Sequence, residues 1–330
     1  MNSRFLQLAK KINCFYLNGI LKGECRPFFV DGKQVGLIRP DVVNKLLNYP
    51  EVFIMRDSDL DGRGIIELNP AFRDYNERTT KVEQVLLELR DKDEIITLRG
   101  WRNEYFEVKD ASNNCLLKMD RAATPMFAIR NYGVTINGYV RHPDLGLCMW
   151  FQQRSDTKQT WPGFWDNMVS GGVTVGYGIK ETAVKESQEE ASVPQSFLEN
   201  LVSVGSVSFF FESERGLFPN TEYVFDLELP MDFEPKCIDG EVQAFELMPI
   251  TKCLDWICST KFKTTSTPVV IDFMIRHGII NTENEPNFSE IVELIHVPLQ
   301  SIYKMNLVTS NGKNGFSSHD SPTKSTNQSA

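Results

Sequence analysis

The sequence predicts an α/β (α+β) protein built in two unlike parts, and three observations carry that reading. Residues 1–123 alternate short apolar runs with helical patterns, as a smaller N-terminal α+β domain does. From residue 124 to about 300 the apolar runs lengthen into strands suited to a larger sheet. A helical segment at 178–191 follows two of those strands and precedes two more. Residues 301–330 read as a C-terminal tail, mostly disordered, because from 308 onward Ser, Asn, Thr, Gly and Lys replace apolar periodicity.

In the first part, PFFVDGKQVGLIRP at 27–40 reads as two strands joined at Asp31-Gly32-Lys33. Pro40 sits in the first turn of a helix running to Leu47, Val52–Met55 is a short strand, and Val82, Val85, Leu86 and Leu89 recur at helical spacing over 78–91. The second part reads as strands at Phe127–Ile129, Gly133–Val140, Leu145–Gln152, 203–211, 222–229 and Val242–Leu247. A polar and aromatic loop, Ser155–Trp165, precedes the 178–191 helix, and helices Ile250–Cys258 and Pro268–His277 follow the last strand.

Composition narrows the classes of function. The 330 residues carry a net charge of −9 and no run of Lys and Arg, so a polyanion is repelled and no nucleic-acid partner is expected. A small phosphorylated substrate stays compatible, because a bound divalent metal inverts the local charge. No apolar run approaches the roughly 20 residues that cross a bilayer, so no membrane association is expected. Seven cysteines without a CxxC pair fit a reducing, cytoplasmic setting, and Cys253 and Cys258 read as structural thiols. Arg4, Lys10, Lys11 and Lys22 precede the first acid, Glu24, which gives a mitochondrial presequence as the minority reading. The favoured reading is an amphipathic first helix that docks Phe5, Leu6, Leu8 and Ile12 on the domain behind it.

The chemistry concentrates in residues 171–193, GGVTVGYGIKETAVKESQEEASV. A Gly-rich turn opens a helix whose Glu186, Glu189 and Glu190 share one face at i, i+3 and i+4. Like charges so close destabilise a helix slightly unless a cation sits between them, and a hard dication such as Mg²⁺ (or Mn²⁺) takes oxygen ligands of this kind. By itself such a cluster is more often the pattern of a solvated helix face. The opposite stripe, Ile179, Ala183, Ser187 and Ala191, is small enough to pack closely on a sheet.

The segment resembles the Nudix box, G-x5-E-x7-R-E-U-x-E-E-x-G-U. Gly171 matches its first glycine, Glu186, Glu189 and Glu190 its last three glutamates, and Val193 its terminal aliphatic. Tyr177 stands at the first glutamate, Lys185 at the arginine, Ser187 at the aliphatic and Ser192 at the second glycine. Lys185 keeps the charge but not the bidentate fork. The resemblance implies a Nudix α/β/α sandwich with a mixed sheet. It makes Glu186 and Glu190 metal ligands, Glu189 a ligand or base, and the Gly171 backbone part of the metal loop. A later acid is also implied, and Glu241 matches that position, with an ordinary exposed turn acid as the other reading.

Further stretches, 159–167 (QTWPGFWDN), 271–278 (IDFMIRHG) and 36–40 (GLIRP), are similar to a fungal and plant Nudix group with its own N-terminal domain, related to thiamine pyrophosphokinase-associated proteins. That resemblance implies hydrolysis of thiamine diphosphate or its oxo- and oxythiamine analogues to the monophosphate and phosphate. The alternatives are another nucleoside- or metabolite-diphosphate hydrolase, or a non-catalytic thiamine diphosphate-binding module. Trp161, Phe164 and Trp165 then offer flat walls for the substrate ring, or anchor the loop, and Lys185 a contact to phosphate.

Overall fold

The computed structural model describes residues 3–19, 23–57, 64–310 and 313–317. The chain begins with α1, Arg4–Lys11, whose first turn is capped by Ser3 accepting from the Leu6 N–H at 3.1 Å. The first sheet is built from β1 (Arg26–Val30), β2 (Lys33–Ile38), β3 (Phe53–Arg56) and β4 (Ile65–Leu68) in the order β3-β4-β1-β2. Asp31 and Gly32 take positive φ in the β1–β2 turn, as expected for that Asp-Gly pair. Helices α2 (Pro40–Leu46) and α3 (Tyr75–Asp91) pack on this sheet through Val42, Val43 and Leu46, and through Val82, Val85, Leu86 and Leu89. The hairpin of β5 (Tyr105–Lys109) and β6 (Cys115–Asp120) lies against α3 and was not anticipated from periodicity.

The second sheet holds β7 (Asn131–His142), β8 (Gly146–Arg154), β9 (Trp165–Asn167), β10 (Val169–Gly172), β11 (Val202–Ser213), β12 (Gly216–Glu228) and β13 (Val242–Pro249). Its order is β11-β12-β7-β8-β13, with β10 on β7 and β9 on β8. β12 runs parallel to β7 and the other pairs are antiparallel, so the sheet is mixed. Helix α4 (Ile179–Ala191), followed by the short α5 (Gln195–Leu198), covers one face by packing Ala183 and Ala191 against Val134, Ile136 and Phe225. Helices α6 (Ile250–Ile257) and α7 (Thr267–Arg276) cover the other through Cys253, Ile257, Val270 and Phe273 against Met149 and Phe151. The result is a three-layer α/β/α sandwich preceded by a separate α+β unit.

Two features redraw the expected arrangement. The first helix packs Leu6 and Ala9 into the α6–α7 side of the second unit, beside α8 (Phe288–Leu294). Fully buried Asn13 holds it there, donating to the Leu294 carbonyl at 2.6 Å and accepting from the Phe210 N–H at 2.9 Å. The strand expected at 127–129 is instead a buried turn, with Ala128 at φ 45 and the Phe127 carbonyl accepting from the Leu37 N–H at 2.9 Å. The short α9 (Leu299–Ile302) leads to β14 (Asn306–Ser310) and β15 (Lys313–Ser317), which extend the first sheet beyond β2. Part of the segment expected to be disordered is thus paired, because β2 has a free edge to pair with. Residues 318–330 lie outside the described residues.

The second unit is pinned by a buried carboxylate. Asp166 on β9 is wholly inaccessible and meets Lys263 at 2.7 Å and Arg154 at 3.3 Å, with Ser266 and Ser170 donating their hydroxyls. Burial alone would raise its pKa, but the charges of Lys263 and Arg154 outweigh that and hold it at about 2. Asp166→Asn leaves two cations without their charge partner and is expected to cost roughly 3–5 kcal/mol in urea unfolding. Because the folded pKa is depressed, this stability is present above the unfolded value near pH 3.8 and is lost as pH falls toward 2. The variant should lack that acid-dependent increment. Gly36→Ala should also destabilise, by roughly 1–3 kcal/mol or more, since a Cβ there would lie 2.0 Å from the Phe127 carbonyl oxygen.

Candidate functional site

The site begins with α4. Its N-terminus is closed by Glu181, whose carboxylate accepts from the Gly178 N–H at 3.2 Å. Its C-terminus ends at Ser192 in the left-handed conformation, φ 52, with the Ser192 hydroxyl donating to the Lys236 carbonyl at 2.5 Å. A serine therefore occupies a geometry that favours glycine, anchored by its own side chain. Helix and sheet approach closely at Gly171, where a Cβ would stand 2.3 Å from Cγ of Glu186. The absence of a side chain at Gly171 thus admits Glu186 to the sheet edge.

Glu190 lies beneath this edge, 1% exposed, accepting from the Ser170 N–H at 2.9 Å and from Gln152 Nε2 at 3.2 Å. Burial raises its pKa to about 8, against the Ser170 hydrogen bond, and the charge of Glu186 adds to the rise. Glu186 is raised as well, first by burial, with Lys185 opposing and the charges of Glu189 and Glu241 adding. Lys185 bridges the rim, 2.6 Å from Glu189 and 3.3 Å from Glu186, and its own pKa is raised because these contacts outweigh burial. Tyr177 is exposed and presents its ring to Lys185, with Nζ 6.0 Å from the centroid.

A cavity of about 820 Å³ opens over this edge. Glu186, Glu189, Lys185, Gly171 and Glu241 line it. Glu241 reaches it from the loop before β13, where Asp239 accepts from its N–H at 2.8 Å and its carboxylate pairs with Lys158. Of the three aromatic residues singled out in the sequence, Trp161 lines the cavity. Phe164 packs edge-on against Trp161 at 5.1 Å, and Trp165 turns away to meet Trp256 at 5.2 Å. A turn separates them, with Trp161 at φ 53 and Gly163 at φ 70, and β9 begins only at Trp165, whose ring packs on the α6–α7 side of the sheet.

Several residues on the cavity carry no sequence motif. Glu222, in register with Gly133 across β12 and β7, has its pKa pushed by burial to about 7 against the charges of Lys263 and Arg121. Gly133 makes room for it, since a Cβ there would stand 2.1 Å from Glu222 Oε2. Arg102, Glu104, Phe106 and Arg121 come from the N-terminal unit, so that unit supplies one wall. Strand alternation marks Glu222 as facing away from α4, but nothing in the sequence pairs residues 102–121 with residues 170–222.

The donor chemistry suits a hard dication: the edge presents carboxylates buried to different degrees, with Glu186 and Glu190 raised chiefly by burial and further by neighbouring acids. Among the described residues, however, no three acidic, His or Cys side chains converge as a ready chelating group. Lys185 and Lys158 occupy the outer carboxylates. These ammonium groups are exchangeable partners at a rim, whereas Glu190 has only neutral donors. The seven cysteines are all free, and no helix among the described residues is long and apolar enough to cross a membrane.

The model of the NUDIX domain family matches residues 132–266, and that of a domain of unknown function, DUF4743, matches 4–131. The uncharacterized protein YJR142W of Saccharomyces cerevisiae is 33% identical over 279 residues, covering 81% of each chain. Nudix hydrolase 20, chloroplastic, of Arabidopsis thaliana is 35% identical over 267 residues, covering 79% of this chain and 70% of that protein. Nudix hydrolase 24, chloroplastic, of the same plant is 33% identical over 264 residues, with the same coverage. With its helix of glutamates on a mixed sheet and relatives that span both units, the chain belongs to the Nudix hydrolase family and is a pyrophosphohydrolase.

Proposed function

We propose that this enzyme is a Mg²⁺-dependent diphosphatase, with Mn²⁺ as a substitute, that acts on thiamine diphosphate or its oxo- and oxythiamine analogues. The observation that carries the metal-dependent reading is the graded set of carboxylates at the α4–β10 edge. Glu190 is buried with neutral partners only, and Glu186 and Glu189 sit at the cavity rim. Glu186 and Glu190 would hold the metal, with Glu189 as ligand or base and Glu241 as the additional acid. The bound ion would neutralise diphosphate charge and lower the pKa of a water molecule. Gly171 keeps the backbone close to Glu186, which orients that carboxylate. Lys185 would leave the glutamates to meet a phosphate oxygen once a dication replaces it.

The substrate ring is supported by flat surfaces on the cavity. Trp161 lies on one side, and Phe211 and Phe218 stack on each other at 4.7 Å on another. Such faces accept a cationic or flat heteroaromatic ring. The same chemistry admits a nucleoside diphosphate, so the ring class is decided by turnover.

Glu190→Gln keeps the acceptor for Ser170 N–H and removes the ionisable oxygen. Metal-dependent phosphate release should fall at least about 100-fold with the urea midpoint nearly unchanged; full activity would sink the metal-site assignment. A panel of thiamine, oxothiamine and oxythiamine diphosphates, ADP, nucleoside triphosphates and ADP-ribose, run with Mg²⁺ and with Mn²⁺, tests the substrate. Preferential kcat/KM for the thiamine-type compounds supports the proposal, and preference for ADP or ADP-ribose replaces it with a nucleotide hydrolase. No turnover of any compound by folded protein points to a binding module.

A further inference from the structure

Three arginines from separate parts of the chain meet at the cavity. Arg102 precedes β5, Arg121 follows β6, and Arg215 sits in the β11–β12 turn. A Cβ on Gly100 would stand 3.7 Å from Arg215 Nη2 and 4.0 Å from Arg102 Nη2, so the two guanidinium heads flank one backbone position. Arg121 lies over the Phe106 ring at 5.4 Å, and Arg215 over the Phe218 ring at 6.0 Å. The turn that carries Arg215 is held in place. Gly216, at φ 136, lies against the N-terminal unit so closely that a Cβ would stand 2.5 Å from the Pro125 carbonyl oxygen.

Their charge is only partly compensated, with Asp120 acting on Arg102 and Glu214 on Arg215. Glu104 pairs with Arg121 at 3.1 Å and reaches Arg102 at 3.9 Å, and Arg215 forms no ion pair among the described residues. Glu222 also faces Arg121, and burial raises its pKa, which disfavours its charged form. Burial, and then the charge of Arg121, lowers the pKa of both Arg102 and Arg215. Rigid guanidinium forks set against aromatic faces, with an excess of positive charge, match an oxyanion with several acceptor oxygens.

We propose that Arg102, Arg121 and Arg215 form an oxyanion subsite that takes a phosphate group of the substrate, so that the N-terminal unit completes the active site. The proposal rests on the diphosphate reading of the glutamate edge and adds the residues that grip the anion independently of metal. Gly172 joins the two regions: its neighbour Gly171 faces Glu186, while a Cβ on Gly172 would stand 3.4 Å from Arg121 Nη1.

The test is calorimetric titration of the full chain, in EDTA at low ionic strength, with inorganic phosphate and with methylenediphosphonate. Wild type should bind both without metal, competitively. Arg215→Met and Arg102→Met should each weaken binding at least about tenfold, as expected for loss of charge-assisted hydrogen bonds, while surface variant Arg141→Met should not. Each ligand should raise the Tm of wild type and raise that of Arg215→Met much less, which separates lost binding from lost folding. Arginine-insensitive binding overturns the proposal, as does equal loss in Arg141→Met. Sensitivity for phosphate alone, with diphosphonate unaffected, also overturns it by indicating a site for released phosphate. The outcomes stay separate from those of the hydrolase reading. Glu190→Gln should abolish turnover yet keep metal-free phosphate binding. An inactive wild type with arginine-dependent binding would reject the hydrolase and keep the subsite.

Discussion

The buried ionised carboxylate of Asp166 sets the terms for everything above it. It sits at zero exposure between Lys263 and Arg154, which it draws from a loop before α7 and from the end of β8. Ser170 and Ser266 donate to it as well, so β9 and β10, strands of three and four residues, acquire a fixed position. Strands that short have little pairing energy of their own. Once Ser170 is placed, its N–H is aimed at Glu190, and Gly171 and Gly172 follow on alternate faces. One side of β10 then meets the helix of glutamates and the other meets the N-terminal unit.

Two kinds of electrostatic imbalance face each other across the cavity. On the α4 side, Glu186 and Glu190 are raised by burial and by neighbouring acids, and Lys185 and Lys158 neutralise the cluster only partly. On the side of β5, β6 and the β11–β12 turn, guanidinium groups crowd together with Glu104 between them. Each side is a cost to folding that a ligand of opposite sign would offset, a dication for the first and an anion for the second, as proposed above. A metal-bound diphosphate carries both signs. The chain's net charge of −9 gives no sign of this local arrangement.

Departures from the Nudix box also acquire physical meaning. Ser192 adopts a left-handed conformation that favours glycine and anchors it by donating its hydroxyl to the Lys236 carbonyl. Lys185 reaches both Glu186 and Glu189, which a flexible ammonium can do by distance alone. Tyr177 is exposed and presents its ring to Lys185. Small Ser187 at the aliphatic position donates to the Ala183 carbonyl at 2.7 Å, so its hydroxyl is satisfied inside the packed face.

The sequence by itself determined the local grammar: the Asp31-Gly32 turn, the amphipathic α4 with Glu186, Glu189 and Glu190 on one face, and the long alternating strands of the second sheet. These depend on contacts within a few residues and on periodicities of 2 and 3.6, which are visible in any linear reading. Only the tertiary structure decided that α1 belongs to the second unit, that residues 127–129 turn rather than extend, and that Trp165 lies under the sheet. It alone brought Arg102, Arg121 and Arg215 together and set Glu222 beside Gly133. Most of these pairings join positions far apart in the chain, and a lone side chain carries no periodic signature of its distant partner. They are fixed by which backbones can approach closely, as at Gly36, Gly133, Gly171 and Gly216, and that is a property of packed surfaces.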